Sequence, residues 1–137
     1  MINSSLTQLK CKPCSGNTPK LSSDDIQKKL PELNEWQLND NKEMIFKKID
    51  FKNFKKAIHF TNLVGELAEE EGHHPDISLG WGYCLIMIHT HAIKGLSIND
   101  FIHAFFICNY QSNRSFGCII LCLCHPSNGK WDYFQTF

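Results

Sequence analysis

The chain carries no excess of charge: its 14 basic and 14 acidic residues cancel to a formal net charge of zero. That balance removes any general electrostatic pull toward nucleic acid or an anionic membrane surface, so neither is expected as a partner. No apolar run approaches the ~20 residues that a membrane-crossing helix needs, and the N-terminus lacks the apolar core of a secretory leader. A soluble, cytoplasmic protein is the expectation. An even number of cysteines is also missing. The seven, Cys11, Cys14, Cys84, Cys108, Cys118, Cys122 and Cys124, cannot all pair within one chain. Cys84 stands alone in the middle, which would have to fold without disulfides. This suits a reducing compartment better than a cross-linked secreted scaffold.

What is present suits one domain. With 137 residues, 42% of them hydrophobic and 12% aromatic, the chain can bury one core but not two. Residues 1–20 are polar and hold Pro13, Gly16 and Pro19, which reads as an N-terminal extension of low order. Structure is expected to begin at Ser22, a helix cap answered three residues later by Asp25, with Ile26, Leu30 and Leu33 at helical spacing. Trp36–Leu38 and Glu43–Ile49 bracket a turn-like Asn39-Asp40-Asn41 and read as a hairpin. Asp50 is positioned to cap a helix from Phe51 to about Glu71, with a stripe of Phe54, Ala57, Ile58, Thr61, Gly65 and Ala68, stopped by Gly72.

A short strand is expected at Ile77–Leu79 and a longer one at Tyr83–His91. In the longer strand, Cys84, Ile86, Ile88 and Thr90 fall on one face, and Tyr83, Leu85, Met87, His89 and His91 on the other. Gly95 ends it, and Ser97 caps a last helix carrying Ile98, Phe101, Ile102 and Phe105. Helices long enough to cover an antiparallel sheet make an α+β sandwich of two layers. Residues 110–137 do not continue the pattern and form a C-terminal tail whose structure the sequence leaves open.

Chemistry concentrates in Glu69-Glu70-Glu71-Gly72-His73-His74-Pro75. Three acids at a helix C-terminus oppose the helix dipole, at up to about 1 kcal/mol each when exposed. Gly72 and Pro75 confine the two histidines to a short connection between helix and strand. They are either surface loop residues or part of a site. His89 and His91, two apart on one strand, point the same way and could bring further imidazoles to the pair. Imidazole, with an ordinary pKa of ~6.5, gives and takes protons near neutrality. Several in one pocket suit a reaction that delivers a proton at one atom and removes it at another. They equally suit a metal, and His73, His74 and His91 are the candidate ligands for that reading.

One pattern is more specific. Glu69, three residues, His73-His74-Pro75, five residues, Trp81, nine residues, His91, eight residues and Asp100 resembles the signature of the pterin-4a-carbinolamine dehydratases. Thr90-His91 and Gly95-Leu96-Ser97 match the same family's strand-to-helix segment, and the likeness spans residues 21–109. The resemblance implies a four-stranded antiparallel sheet with helices on one face, assembled as a homo-dimer or tetramer. The activity it implies is dehydration of 4a-hydroxytetrahydrobiopterin without a metal or other cofactor. It assigns His73 and His91 as acids at the leaving hydroxyl, and His74 as substrate contact or base near the ring nitrogen. Pro75, Trp81 and Thr90 would contact the pterin, and Glu69 would orient an imidazole. Asp100 would serve the substrate site or the cap that its spacing from Ser97 describes. The family also includes dimerisation cofactors of a transcription factor and partners of a hydroxylase, so a binding role on the same fold is the alternative. Cys118, Cys122, Cys124 and His125, with Cys11 and Cys14, could be offered to zinc, but at no standard finger spacing.

Overall fold

The computed structural model describes Leu6 and residues 9–112. The tail cysteines and His125 lie outside the described residues. Helix α1 (Ser23–Lys29) starts as its sequence requires: the Ser22 Oγ accepts from the Asp25 N–H, and Asp25 takes the hydroxyl proton in return. A 3-10 turn at Leu30–Glu32 follows, then β1 (Gln37–Leu38) and β2 (Ile45–Asp50). Helix α2 (Phe54–Glu71) leads to β3 (Asp76–Gly80) and β4 (Tyr83–Ile88), and α3 (Ile98–Ser112) completes the order.

All neighbours in the sheet are antiparallel, in the order β1-β2-β4-β3, which places the two longest strands in contact at the centre. The alternation expected in β4 holds: Cys84, Ile86 and Ile88 are buried, and Tyr83, Leu85 and Met87 are half-buried on the opposite face. Ile45 and Ile49 join the buried face, with Phe60, Val64 and Leu67 of α2 and Phe101, Ala104 and Ile107 of α3 packed over it. The result is the two-layer α+β sandwich. Lys47 occupies a core-facing position between Ile45 and Ile49, and its ammonium donates to the Asn34 carbonyl at 2.9 Å and pairs with Glu35 at 3.2 Å. Burial of that stem is tolerated because its charged end finds partners.

Three local expectations are corrected. The cap of α2 is Asn53 rather than Asp50, because the Asn53 side chain accepts from the Lys56 N–H. The buried stripe of α2 is Ala57, Phe60, Val64, Leu67 and Ala68, while Phe54 and Ile58 are exposed. The helix carries apolar residues on two faces, and among the described residues only the face met by the sheet and α3 is covered. Finally, β4 stops at Ile88 instead of continuing to His91. Thr90 forms an isolated bridge with Gly95, and His91–Ile93 is a 3-10 turn.

Candidate active site

The site gathers where α2 ends, β3 begins, β4 ends and α3 begins. Gly72 closes α2 in the left-handed conformation (φ 61°), a backbone state that glycine adopts without a Cβ clash. That reversal sends His73 inward and leaves His74 outside. His73 is buried, and its Nε2 lies 2.7 Å from Asp100 Oδ1. Asp100 has no exposed surface. Its second oxygen accepts from the Ser97 N–H at 2.7 Å and from the Thr90 hydroxyl at 2.8 Å. One carboxylate therefore caps α3, fixes Thr90 and holds His73, so both roles weighed for Asp100 meet in one side chain. An ionised carboxylate can only accept, so the His73 Nε2 that faces it carries a ring proton.

Cys14 lies on the other side of the ring, with Sγ 3.4 Å from His73 Nδ1. Sequence reasoning missed this residue. Residues 9–20 contain no helix or strand, yet their backbone is bound at specific points. Cys11 N–H donates to Glu71, Lys12 exchanges two hydrogen bonds with the Asn99 side chain, and Asn99 also donates to Cys14 Sγ at 3.2 Å. Partners 60 or more positions away leave no periodic trace, and Cys11-Lys12-Pro13-Cys14 was the sole signal. Burial and the nearby Glu71 carboxylate push the Cys11 thiol up to about 12, which keeps it protonated and a poor nucleophile.

The remaining groups form a rim. His74 Nε2 rests 2.8 Å from Glu69 Oε1, and both are largely exposed. His89 and His91 lie side by side, ring centres 4.0 Å apart, and both turn Nε2 toward Asp76 Oδ2, at 3.0 and 3.6 Å. Cys14, His73, His74, His89, Thr90 and His91 line an open pocket of about 210 Å³. His73, His74, Thr90 and His91 are thus brought together, with Glu69 behind His74 and Asp100 behind His73. Pro75, half-buried, follows His74 into β3 without lining the pocket. Trp81 is not with them. It is 74% exposed in the turn joining β3 to β4, at the far end of the hairpin, roughly 15 Å along the strand from Asp76.

Behind His73 sits His103, ring centres 5.6 Å apart, fully buried, with neither nitrogen hydrogen-bonded among the described residues. Burial, helped by His73 and opposed by Asp100, pulls its pKa down to about 4.

Residues 19–110 match the family model described as pterin 4 alpha carbinolamine dehydratase. The chain belongs to this family. A relative from Methylococcus capsulatus, provisionally named pterin-4-alpha-carbinolamine dehydratase, is 46% identical over 73% of this chain and 88% of its own. A second with the same provisional name, from Alkaliphilus metalliredigens, is 46% identical over 78% of this chain and 96% of its own. Among solved structures, a protein from Brucella melitensis titled transcriptional coactivator/pterin dehydratase superposes with a TM-score of 0.63 at 25% identity. That superposition covers 66% of this chain and 97% of the other.

Proposed function

We propose that the protein removes water from 4a-hydroxytetrahydrobiopterin to give the quinonoid dihydropterin, a step that recycles the cofactor of aromatic amino acid hydroxylation. What supports this is the convergence of His73, His74 and His91 on one pocket, each imidazole beside a carboxylate, in a chain of this family. The substrate bears a hydroxyl on ring carbon C4a next to nitrogen N5, which carries a hydrogen. Loss of water breaks the C–O bond, the N5 lone pair forms the C=N bond, and the N5 proton departs. One proton is delivered and one removed, so the protein's proton count is unchanged, and exchange with solvent water resets the acid and the base before the next turnover.

His91, exposed at the rim, is the acid for the departing hydroxyl. His74, backed by Glu69, is the base for the N5 proton. His73 reaches substrate as a second acid only if Cys14 moves from Nδ1, and otherwise holds the floor in place. Thr90, anchored to Asp100, keeps the His91 turn at a fixed distance from that floor. A group of this kind contributes about 10²–10⁴ in rate. The decisive experiment mixes freshly generated 4a-hydroxytetrahydropterin with the purified chain and follows the quinonoid product by absorbance. Acceleration over buffer is expected, and product formation at the buffer rate would refute the assignment.

The same reading includes self-association. Phe46, Tyr83, Leu85 and Met87 lie half-buried on the uncovered sheet face, and Phe54 and Ile58 are exposed on α2. Apolar groups on two outer faces favour burial against another copy. Light scattering should report a dimer or tetramer at micromolar concentration, and a monomer would count against it.

A further inference from the structure

Asp76, His89 and His91 contribute one ligand-type atom each, and the three atoms lie within 4.8 Å of one another. Two of the separations, 3.0 and 3.6 Å, are already near the ~3.3 Å between donors in a tetrahedral site with ligands about 2.0–2.1 Å from zinc. The backbone beneath them is held: Asp76 pairs with Met87 in the β3–β4 ladder, and the Thr90–Gly95 bridge lies between the two histidines' turn and α3. Closing the set requires side-chain adjustment and no change of fold. Two imidazole nitrogens and one carboxylate oxygen match zinc and its neighbours in the first transition series, and suit magnesium or calcium poorly. The histidine trio first considered for a metal does not fit, because His73 has Asp100 on one nitrogen and Cys14 on the other.

We infer that Asp76, His89 and His91 form a binding site for a divalent transition-metal ion of the zinc class, placed so that occupancy takes His91 out of use. A metal-bound Nε2 cannot carry the proton meant for the leaving hydroxyl, so the ion is an inhibitor rather than a cofactor. This consequence rests on the acid role proposed for His91, whereas the site itself does not.

The test uses the full chain purified without an affinity tag, stripped by chelator, and titrated with zinc against a chromophoric competitor. One equivalent of zinc should be lost, or weakened at least about tenfold, in both His89→Ala and Asp76→Asn, since even outer-shell changes cost that much. Cys14→Ser should retain it. Cobalt in place of zinc should give visible bands that disappear in His89→Ala, without a thiolate charge-transfer band in the difference spectrum. Equal zinc binding by the parent and both variants would overturn the site, as would a difference spectrum dominated by thiolate. In the turnover assay zinc should suppress the parent, chelator should restore it, and His89→Ala should be less sensitive. Zinc that binds through the triad yet leaves turnover untouched would keep the site and remove the acid role of His91.

Discussion

Four imidazole–carboxylate contacts, two of them shared by Asp76, lie around one small pocket, and they differ chiefly in how much water they see. On the floor, His73 and Asp100 side chains are 5% and 0% exposed. On the rim, His74 and Glu69 are 61% and 79% exposed, and His91 and Asp76 are 62% and 54%. A carboxylate taken fully out of water is costly unless every lone pair is answered. Asp100 meets that condition with donors from His73, Thr90 and Ser97. On the rim, water screens the charges and a pair is worth at most about 1 kcal/mol, so those imidazoles can turn, exchange protons and meet a substrate. The floor fixes shape and the rim is available for chemistry.

The sharpest way to break this contrast is His91→Ala. Turnover should fall by about 10²–10⁴ while the unfolding free energy moves by less than about 0.5 kcal/mol, as for other surface changes. Near-normal turnover in a folded variant would remove His91 from the mechanism. Asp100→Ala should behave in the opposite sense, losing about 3–5 kcal/mol of stability because it strands the partners of a buried pair. Urea unfolding measures this, and a loss below 1 kcal/mol would show that the floor is no more committed than the rim.

His103 extends the comparison to pH. In the unfolded chain it takes up a proton as pH falls below ~6.5, whereas in the folded chain it stays neutral until about 4. Between those values the unfolded state binds more protons, so stability is complete above pH 6.5 and declines toward pH 4 by up to about 3 kcal/mol. His103→Leu, which also deletes two buried unpaired nitrogens, should be no less stable at pH 7 and show a shallower acid decline. An unchanged slope in urea unfolding at pH 7, 5.5 and 4.5 would exclude His103 as its source. Small as well should be the effect of Glu69→Gln, with a stability change under about 1 kcal/mol by the same measurement. A larger loss would mean that this rim pair is not screened.

How far the sequence discloses this molecule depends on the reach of each interaction. β4 is legible because its period of two is local, and Cys84, Ile86 and Ile88 are buried as that period demands. The α1 cap is legible for the same reason, as Ser22 and Asp25 are three residues apart. The buried face of α2 is not, since Phe54 and Ile58 are as apolar as Val64 and only the tertiary contacts choose between them. Within the site, spacing singles out His73, His74, His91 and Asp100, but cannot say which histidine is buried. That depends on the chain reversal at Gly72 and on a carboxylate 27 positions away. Trp81 belongs to the same spacing pattern and stands apart from the pocket. Cys14 belongs to no repeat at all and lies inside it.

The docking of residues 11–14 has a consequence for the order of assembly during synthesis. These residues leave the ribosome first, yet their hydrogen-bond partners include Asn99, 87 positions later, and Glu71. Until α3 emerges, Cys14 has no Asn99 to bind and His73 has no Asp100, so the pocket cannot close before α3 is available. Contacts so distant in sequence form late, because the intervening loop must be ordered before they return any free energy. The segment made before the rest of the domain is therefore among the last to find its place, and the site matures as the domain finishes folding.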